Sequence, residues 1–371
     1  MQQVTNQNYL NKCMAVAVCI EARVPVILWG APGQGKTSVL KSFAEQSGRK
    51  LEIILASIRE PQDFAGLPAI SNGKMNLIPP NWAQSLADDG NGILFADEIN
   101  TAPPSVQAAL LRVCLEKVAG DLELGERTSI VAAANPPEIA ADGWDLAAPL
   151  ANRFCHIDWD LPGDVVAAGL VGNWPNVTLP EVTDELIAQE TELEAWKLAG
   201  FLSSRQDLAT AMPQSTGQQG RAFPTPRSWE MVLKLLGAAN ALQLSAEIKR
   251  FLVTGCVGHG AGSEYLIYRD NLDLPNPESI ISDPENVLLP TRADQLYVIC
   301  GSVHSALQSH FSDDRWERVG RFILRVSQEG HPDIAVSLLV KWDKLTPPGT
   351  LIDRKIVQSL NPLLREAGIR K

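Results

Sequence analysis

Several things are scarce in this chain, and each scarcity excludes something. No run approaches 18 uninterrupted apolar residues, and the N-terminus lacks a basic segment followed by an apolar core. A membrane span and a secretory leader are therefore not expected, and the reading is a cytoplasmic protein. Positive charge is in deficit, with 32 Lys and Arg against 43 Asp and Glu for a net charge of −11. That balance argues against phosphate-backbone binding as the main business, although a local basic patch stays open. The six cysteines (Cys13, Cys19, Cys114, Cys155, Cys256, Cys300) form no C-x-x-C pair, and the five histidines do not cluster with them. A zinc site or disulfide framework is not expected, and reduced thiols are the simpler reading. There are no internal repeats and no low-complexity tract.

What is present is an ordinary globular composition, 45% apolar and 20% charged, over 371 residues. That length predicts two or three domains. The chain is organised around Gly30-Ala31-Pro32-Gly33-Gln34-Gly35-Lys36-Thr37. This is the spacing of a phosphate-binding loop, in which backbone N–H groups cradle phosphate oxygens, a lysine reaches the β- and γ-phosphates and a hydroxyl holds Mg²⁺. By composition alone such an octapeptide arises in about 1% of chains of this length. The flanks make it more specific. Val26-Ile27-Leu28-Trp29 before it reads as a buried parallel strand, and Ser38 to Gln46 after it reads as a helix stopped by Ser47-Gly48.

The second chemical stretch is Gly92-Ile93-Leu94-Phe95-Ala96-Asp97-Glu98-Ile99-Asn100, a buried strand with two carboxylates at its carboxyl end. Open α/β sheets bind ligands at that end. Asp97 there suits the Mg²⁺ shell, and Glu98 suits orienting and deprotonating an attacking water. A third strand is expected to end at Ala134-Asn135-Pro136-Pro137, where Asn135 could hold the attacking water or the γ-phosphate, or could simply cap the strand.

Between and after these motifs the pattern predicts a helix over 8–22, covering the nucleotide pocket or only packing on the sheet, a strand over 51–56, a hairpin turning at Asn72-Gly73, a helix over 101–117, and a strand–turn–strand over 118–131. A short helix over 145–152 and a strand over 153–157 close the α/β region. Helices follow over 183–201, 228–242, 245–254, 294–308, 315–329, 334–345 and 351–367, with 274–290 too rich in proline for a helix interior.

Together these motifs resemble an AAA+ ATPase, and more narrowly the MoxR group. Gly30 to Thr37 stands as Walker A, Ile93 to Asn100 as Walker B, Ala134-Asn135-Pro136 as sensor 1 and Leu150-Ala151-Asn152-Arg153-Phe154 as the arginine-finger region. Thr225-Pro226-Arg227-Ser228-Trp229 is similar to the start of the lid helix that carries sensor 2. The resemblance covers residues 1 to about 255. It implies a P-loop α/β domain over 1–162, with a helix-2 insert at about 66–80 and a pre-sensor-1 hairpin at about 118–131. A helical lid over 163–273 and a helical extension over 274–371 follow. ATP and Mg²⁺ are the implied ligands, with Ser38 beside Thr37 at the phosphates. Glu98, Asn135 and Arg153 are the implied catalytic groups, Arg153 reaching a neighbouring subunit's γ-phosphate. Arg227 is the implied sensor that couples the lid to the nucleotide, with Arg221 as the other candidate.

The resemblance further implies a ring, a homohexamer by analogy, with both hairpins facing its pore. Its function would be chaperone-like remodelling of a protein partner, such as one with a von Willebrand factor A domain, or loading of metals or cofactors into enzymes. Two other readings stand beside it: the motor subunit of a DNA-acting defence or restriction complex, and an ATP-gated assembly switch with slow hydrolysis. The hairpin 66–80 carries Lys74 as its one basic residue, which weighs against DNA.

Overall fold

A computed structural model describes residues 2–71, 73–136, 144–171, 177, 182–272, 274–346, 362 and 365. By packing it divides into two units, one of residues 1–187 and 208–264, the other of 188–207 and 265–371.

The first unit is built on five parallel strands: β1 (Val26–Trp29), β2 (Leu51–Leu55), β5 (Ile93–Asp97), β8 (Ser129–Ala134) and β9 (Cys155–Asp158), in the order β2-β5-β8-β1-β9. The three central strands are largely apolar because both faces are covered, and every residue of β1 and β8 is buried. Edge strand β2 is only partly covered and leaves Ile53 exposed. After β1 the chain crosses to the far edge at β2, works back through β5 and β8, and places β9 on the other side of β1. The carboxyl end of β1 thus lies where the strand order reverses, the usual place for a ligand in an open α/β sheet.

Two antiparallel hairpins accompany the sheet. The first pairs β3 (Leu67–Ser71) with β4 (Lys74–Ile78), setting Ile70 opposite Met75; Asn72 of its turn lies outside the described residues. The second, β6 (Val118–Ala119) with β7 (Leu122–Glu123), is only two residues deep on each side. The hairpins are bonded to each other. Leu77 N–H donates to Asp121 Oδ2 at 2.6 Å, Asp121 N–H to the Leu77 carbonyl at 3.2 Å, and Gly120 N–H to the Phe64 carbonyl at 3.3 Å.

Several elements differ from their sequence expectation. The helix expected from Thr101 starts at Pro104, because Glu98 to Ala102 form turns in which Thr101 N–H and Oγ1 both bond to the Glu98 carbonyl. The helix expected over 145–152 is one turn, Ala148–Ala151. Helices at Gly163–Leu170 and His259–Asp270 were not foreseen. A short helix, Pro277–Ser282, does form in the proline-rich stretch, with Pro277 in its first turn where no N–H partner is needed. The expected helix 351–367 falls almost wholly outside the described residues.

Helices Gln2–Glu21, Pro226–Ala241 and Ala246–Val257 pack around the β9 side of the sheet. The second unit is helical. In it Trp316 and Trp342 stack at 4.1 Å, and the Trp342 indole N–H bonds to the Trp316 carbonyl at 2.8 Å. Buried Glu194 there is met by Lys197 and Arg269 at 2.8 and 3.0 Å. Among the described residues no helix is long and apolar enough to cross a membrane.

Candidate active site

The loop from Gly30 to Lys36 takes its shape from its glycines. Gly33 and Gly35 hold φ of 79° and 68°, the left-handed region, and Gly35 caps the helix Lys36–Ser47. Gly30 is needed for closeness: a Cβ there would lie 2.4 Å from the Trp159 carbonyl oxygen. The segment after β9 seats the loop. Trp159 N–H bonds to the Trp29 carbonyl at 2.6 Å, its indole N–H to the Gln34 carbonyl at 3.0 Å, and Leu161 N–H to Gln34 Oε1 at 2.8 Å. The backbone N–H groups of the first helical turn, from Lys36, Thr37 and Ser38, begin the helix at the loop, which is the anion-binding end of a helix dipole.

Lys36, 8% exposed, folds back onto the loop, donating to the Gly30 carbonyl at 2.5 Å and to that of Ala31 at 3.2 Å. Burial holds its pKa below the ordinary lysine value, against the opposing pull of the Asp97 and Glu98 carboxylates. Burial likewise holds the Asp97 carboxyl above its ordinary value, against the Glu98 N–H and Lys36. A bound phosphate would favour the charged lysine and a bound cation the charged carboxylate, so both groups are set to gain from a ligand.

Thr37 Oγ1 stands 3.4 Å from Asp97 Oδ2. Two hard oxygen donors at that spacing suit Mg²⁺.

Glu98 follows at φ 56°, an uncommon conformation for a residue with a Cβ. Its Oε2 accepts a hydrogen bond from Ser57 Oγ at 2.9 Å. Asn135 comes directly after β8, 9% exposed, and is clamped by Asn100: Asn100 Nδ2 donates to the Asn135 carbonyl at 2.8 Å, and Asn135 N–H donates to Asn100 Oδ1 at 3.1 Å. Ser57 and Asn100 escaped sequence reasoning as functional groups. Asn100 stood inside the quoted Asp-Glu-Ile-Asn motif. Ser57 carries no local signal.

A cavity of about 230 Å³ opens beside the loop, lined by Tyr9, Cys13, Gly35, Ser38, Val39 and Leu161 among others. The helix expected over 8–22 therefore both packs on the sheet and faces the loop. Its largely apolar walls suit a flat ring.

Arg153 and Arg227 are placed elsewhere. β1 and β9 run parallel with Val26 level with Cys155 and Trp29 level with Asp158, so Arg153 precedes the amino end of β9 while the loop follows the carboxyl end of β1. Arg153 donates to the Pro149 carbonyl, and its Nε is buried without a partner. Its pKa is held below the ordinary arginine value, first by burial and then by the like charge of Arg227. Arg221, by contrast, lies at the carboxyl end, 3.0 Å from Asp158 Oδ1 and stacked 3.9 Å over the Trp29 ring.

A glycine loop on a helix start, a hydroxyl–carboxylate pair, a second carboxylate and a strand-tip asparagine stand together in the order and at the sheet edge that suit a phosphate-binding loop. In comparison with known proteins, residues 25–154 match the family model of the AAA domain, dynein-related subfamily. Over 121 residues the chain is 29% identical to WtsA of Pantoea stewartii subsp. stewartii, named as a regulatory protein of a pathogenicity locus; the match spans 31% of this chain and 38% of that protein. Among solved structures, a Cytophaga hutchinsonii protein named as an ATPase is 14% identical, with a TM-score of 0.41, covering 73% of this chain and 98% of its own. A full-length MCM homologue from Methanopyrus kandleri is 19% identical, with a TM-score of 0.36, covering 70% of this chain and 53% of its own.

Proposed function

We propose that this chain is a MoxR-like AAA+ ATPase that hydrolyses ATP in an oligomeric ring, in the cytoplasm, and uses the cycle to remodel or activate a protein partner. The observation that carries this reading is the convergence of Lys36, Thr37, Asp97, Glu98 and Asn135 at the carboxyl edge of one sheet, while Arg153 stands at the amino edge.

In the proposed reaction, N–H groups of the loop from Gly30 to Ser38 and the Lys36 ammonium hold the phosphates. Thr37 and Asp97 would hold Mg²⁺, which when bound neutralises charge on the β- and γ-oxygens. Glu98 takes the proton of a water whose oxygen bonds to the γ-phosphorus as the bond to the β–γ bridging oxygen breaks, releasing ADP and phosphate. Asn135 orients that water. Arg153 of the next subunit neutralises charge developing on the γ-phosphoryl oxygens.

The partner reading rests on the hairpins. Leu67, Ile70, Met75 and Ile78 are exposed, Ile70 and Met75 by 84% and 74%. An apolar, nearly uncharged projection suits an unfolded or partly folded polypeptide better than a phosphate backbone. Through Phe64 and Asp121 it is tied to the helix that follows Ser57, the residue bonded to Glu98. A division into nucleotide domain (1–162), lid (163–273) and extension (274–371) is part of the same proposal, as is a partner of the von Willebrand factor A type.

The test is ATP turnover with Lys36→Ala and Glu98→Gln. Both should abolish phosphate release, and Glu98→Gln held in ATP should retain nucleotide and capture the partner polypeptide. Turnover that survives either substitution defeats the proposal.

A further inference from the structure

The first unit holds a second cavity whose chemistry differs from that of the apolar one beside the phosphate loop. The two share the helix Gln2–Glu21 as a wall. Tyr9 and Cys13 line the first, while Asn8 and Lys12, each one position earlier, line the second. Its volume is about 790 Å³, enough to take a small organic molecule whole. Three cations line it, Lys12, Arg221 and Arg250, against one carboxylate, Asp158. With histidine counted neutral, three cations less one carboxylate leave +2, in a chain whose net charge is −11.

Each cation has a partner already. Lys12 pairs with Asp160, Arg221 with Asp158 at 3.0 Å, and Arg250 with Glu247 at 2.5 Å. These pairs hold weakly, because the three carboxylates keep 66, 73 and 41% of their side-chain surface in water. Asp160 and Glu247 do not line the cavity, so an anion inside it meets the cations from a side those acids leave open. The Arg221 guanidinium lies 3.9 Å over the Trp29 ring and that of Arg250 4.9 Å from the Phe251 ring. A guanidinium stacked in this way keeps its donors at its edge, where they match phosphate oxygens in pairs. The floor is fixed. Gly255 sets the helix Ala246–Val257 so close on β9 that a Cβ there would lie 2.6 Å from the His156 carbonyl oxygen.

A charge of +2 matches a phosphate monoester, which carries about −1.5 to −2 at neutral pH in one group, better than a single carboxylate. We propose that this cavity is a second ligand site, for a small phosphorylated molecule carrying two or three negative charges, separate from the nucleotide of the phosphate loop. The site stands whether or not the chain hydrolyses ATP in a ring, since Lys12, Arg221 and Arg250 take no part in that reaction.

The test is calorimetric titration of the Lys36→Ala protein, without Mg²⁺, with inorganic pyrophosphate as the probe. Lys36→Ala weakens the phosphate loop, and one-to-one binding should remain. Arg250→Ala in that background should weaken it at least about tenfold. Citrate, of comparable charge carried on carboxylates, should bind at least about tenfold more weakly than pyrophosphate. Glu247→Gln removes the carboxylate that competes for Arg250 and should tighten binding about two- to fivefold, a gain that misfolding cannot mimic. No binding, an affinity that Arg250→Ala leaves unchanged, or citrate as tight as pyrophosphate overturns the proposal. If the Arg250→Ala protein does not fold, Glu247→Gln decides alone, and an affinity it leaves unchanged overturns the site.

Discussion

Ser57 Oγ donates a hydrogen bond to Glu98 Oε2 at 2.9 Å, so the carboxylate proposed to activate water is already engaged by the turn that follows the neighbouring strand β2. A hydrogen bond to a charged acceptor contributes about 1.5–3 kcal/mol when buried, and about 1 kcal/mol is a reasonable figure for this half-buried one. Since 1 kcal/mol is about a fivefold change in a population, Ser57→Ala should raise basal turnover by up to about fivefold with nucleotide affinity unchanged. Steady-state phosphate release measures this. A tenfold fall would make Ser57 a group that orients Glu98 for catalysis and would refute the restraint.

The Asn100–Asn135 pair makes a prediction on both stability and activity. Asn100 is 3% exposed, and its amide satisfies the backbone carbonyl and N–H of Asn135 at once. Asn100→Ala should orphan both groups at a cost of about 2–4 kcal/mol. For a unit of this size that lowers Tm by roughly 4–16 °C. Asn100→Asp keeps the acceptor and loses the donor, so it should fall between. Thermal unfolding and turnover should move together across the three proteins; an Asn100→Ala protein of unchanged Tm and turnover contradicts the clamp.

His156 gives a pH dependence whose sign is fixed by its partners. Trp29 Nε1–H can only donate, so His156 Nδ1 accepts it at 2.9 Å, and the remaining proton on Nε2 bonds to the Ala151 carbonyl at 2.9 Å. Protonation would point a second N–H at the Trp29 donor. Burial, the larger cause, and nearby Arg221 hold the pKa down to about 4 from 6.5, against the Ala151 bond and Asp158. A folded pKa below the unfolded one means stability that is full above about 6.5 and lost as pH falls towards 4, a difference on the order of 3 kcal/mol. Denaturant unfolding between pH 7 and 4 should show that loss reduced in His156→Gln. Parallel curves for the two proteins would exclude His156 as the cause.

Much of this site was legible because its signals are local. A glycine loop between a four-residue apolar strand and a helix, and an Asp-Glu pair closing another strand, are read within ten residues each, and the strand, loop and helix form where expected. Helix boundaries set by long-range bonds were not legible: the turn at Glu98–Ala102 is held partly by Ile99 N–H on the Ala133 carbonyl, which delays the helix to Pro104. Helix His259–Asp270 was hidden because its glycines read as breakers. Gly262 is there for contact, since a Cβ would lie 3.0 Å from the Thr254 Cα. Ser57 and the stacking of Arg221 on Trp29 join residues 41 and 192 apart in sequence, and no window along the chain contains them together.

Strand β9 is four residues long and is bracketed by two different obligations. Before its first residue stands Arg153, and just after its last stands Trp159, whose carbonyl roofs Gly30 and whose indole grips Gln34. In a closed ring it would be a push-rod shared by two catalytic centres. A pull on Arg153 by one subunit's phosphate would bear, within six residues, on the cradle for the next.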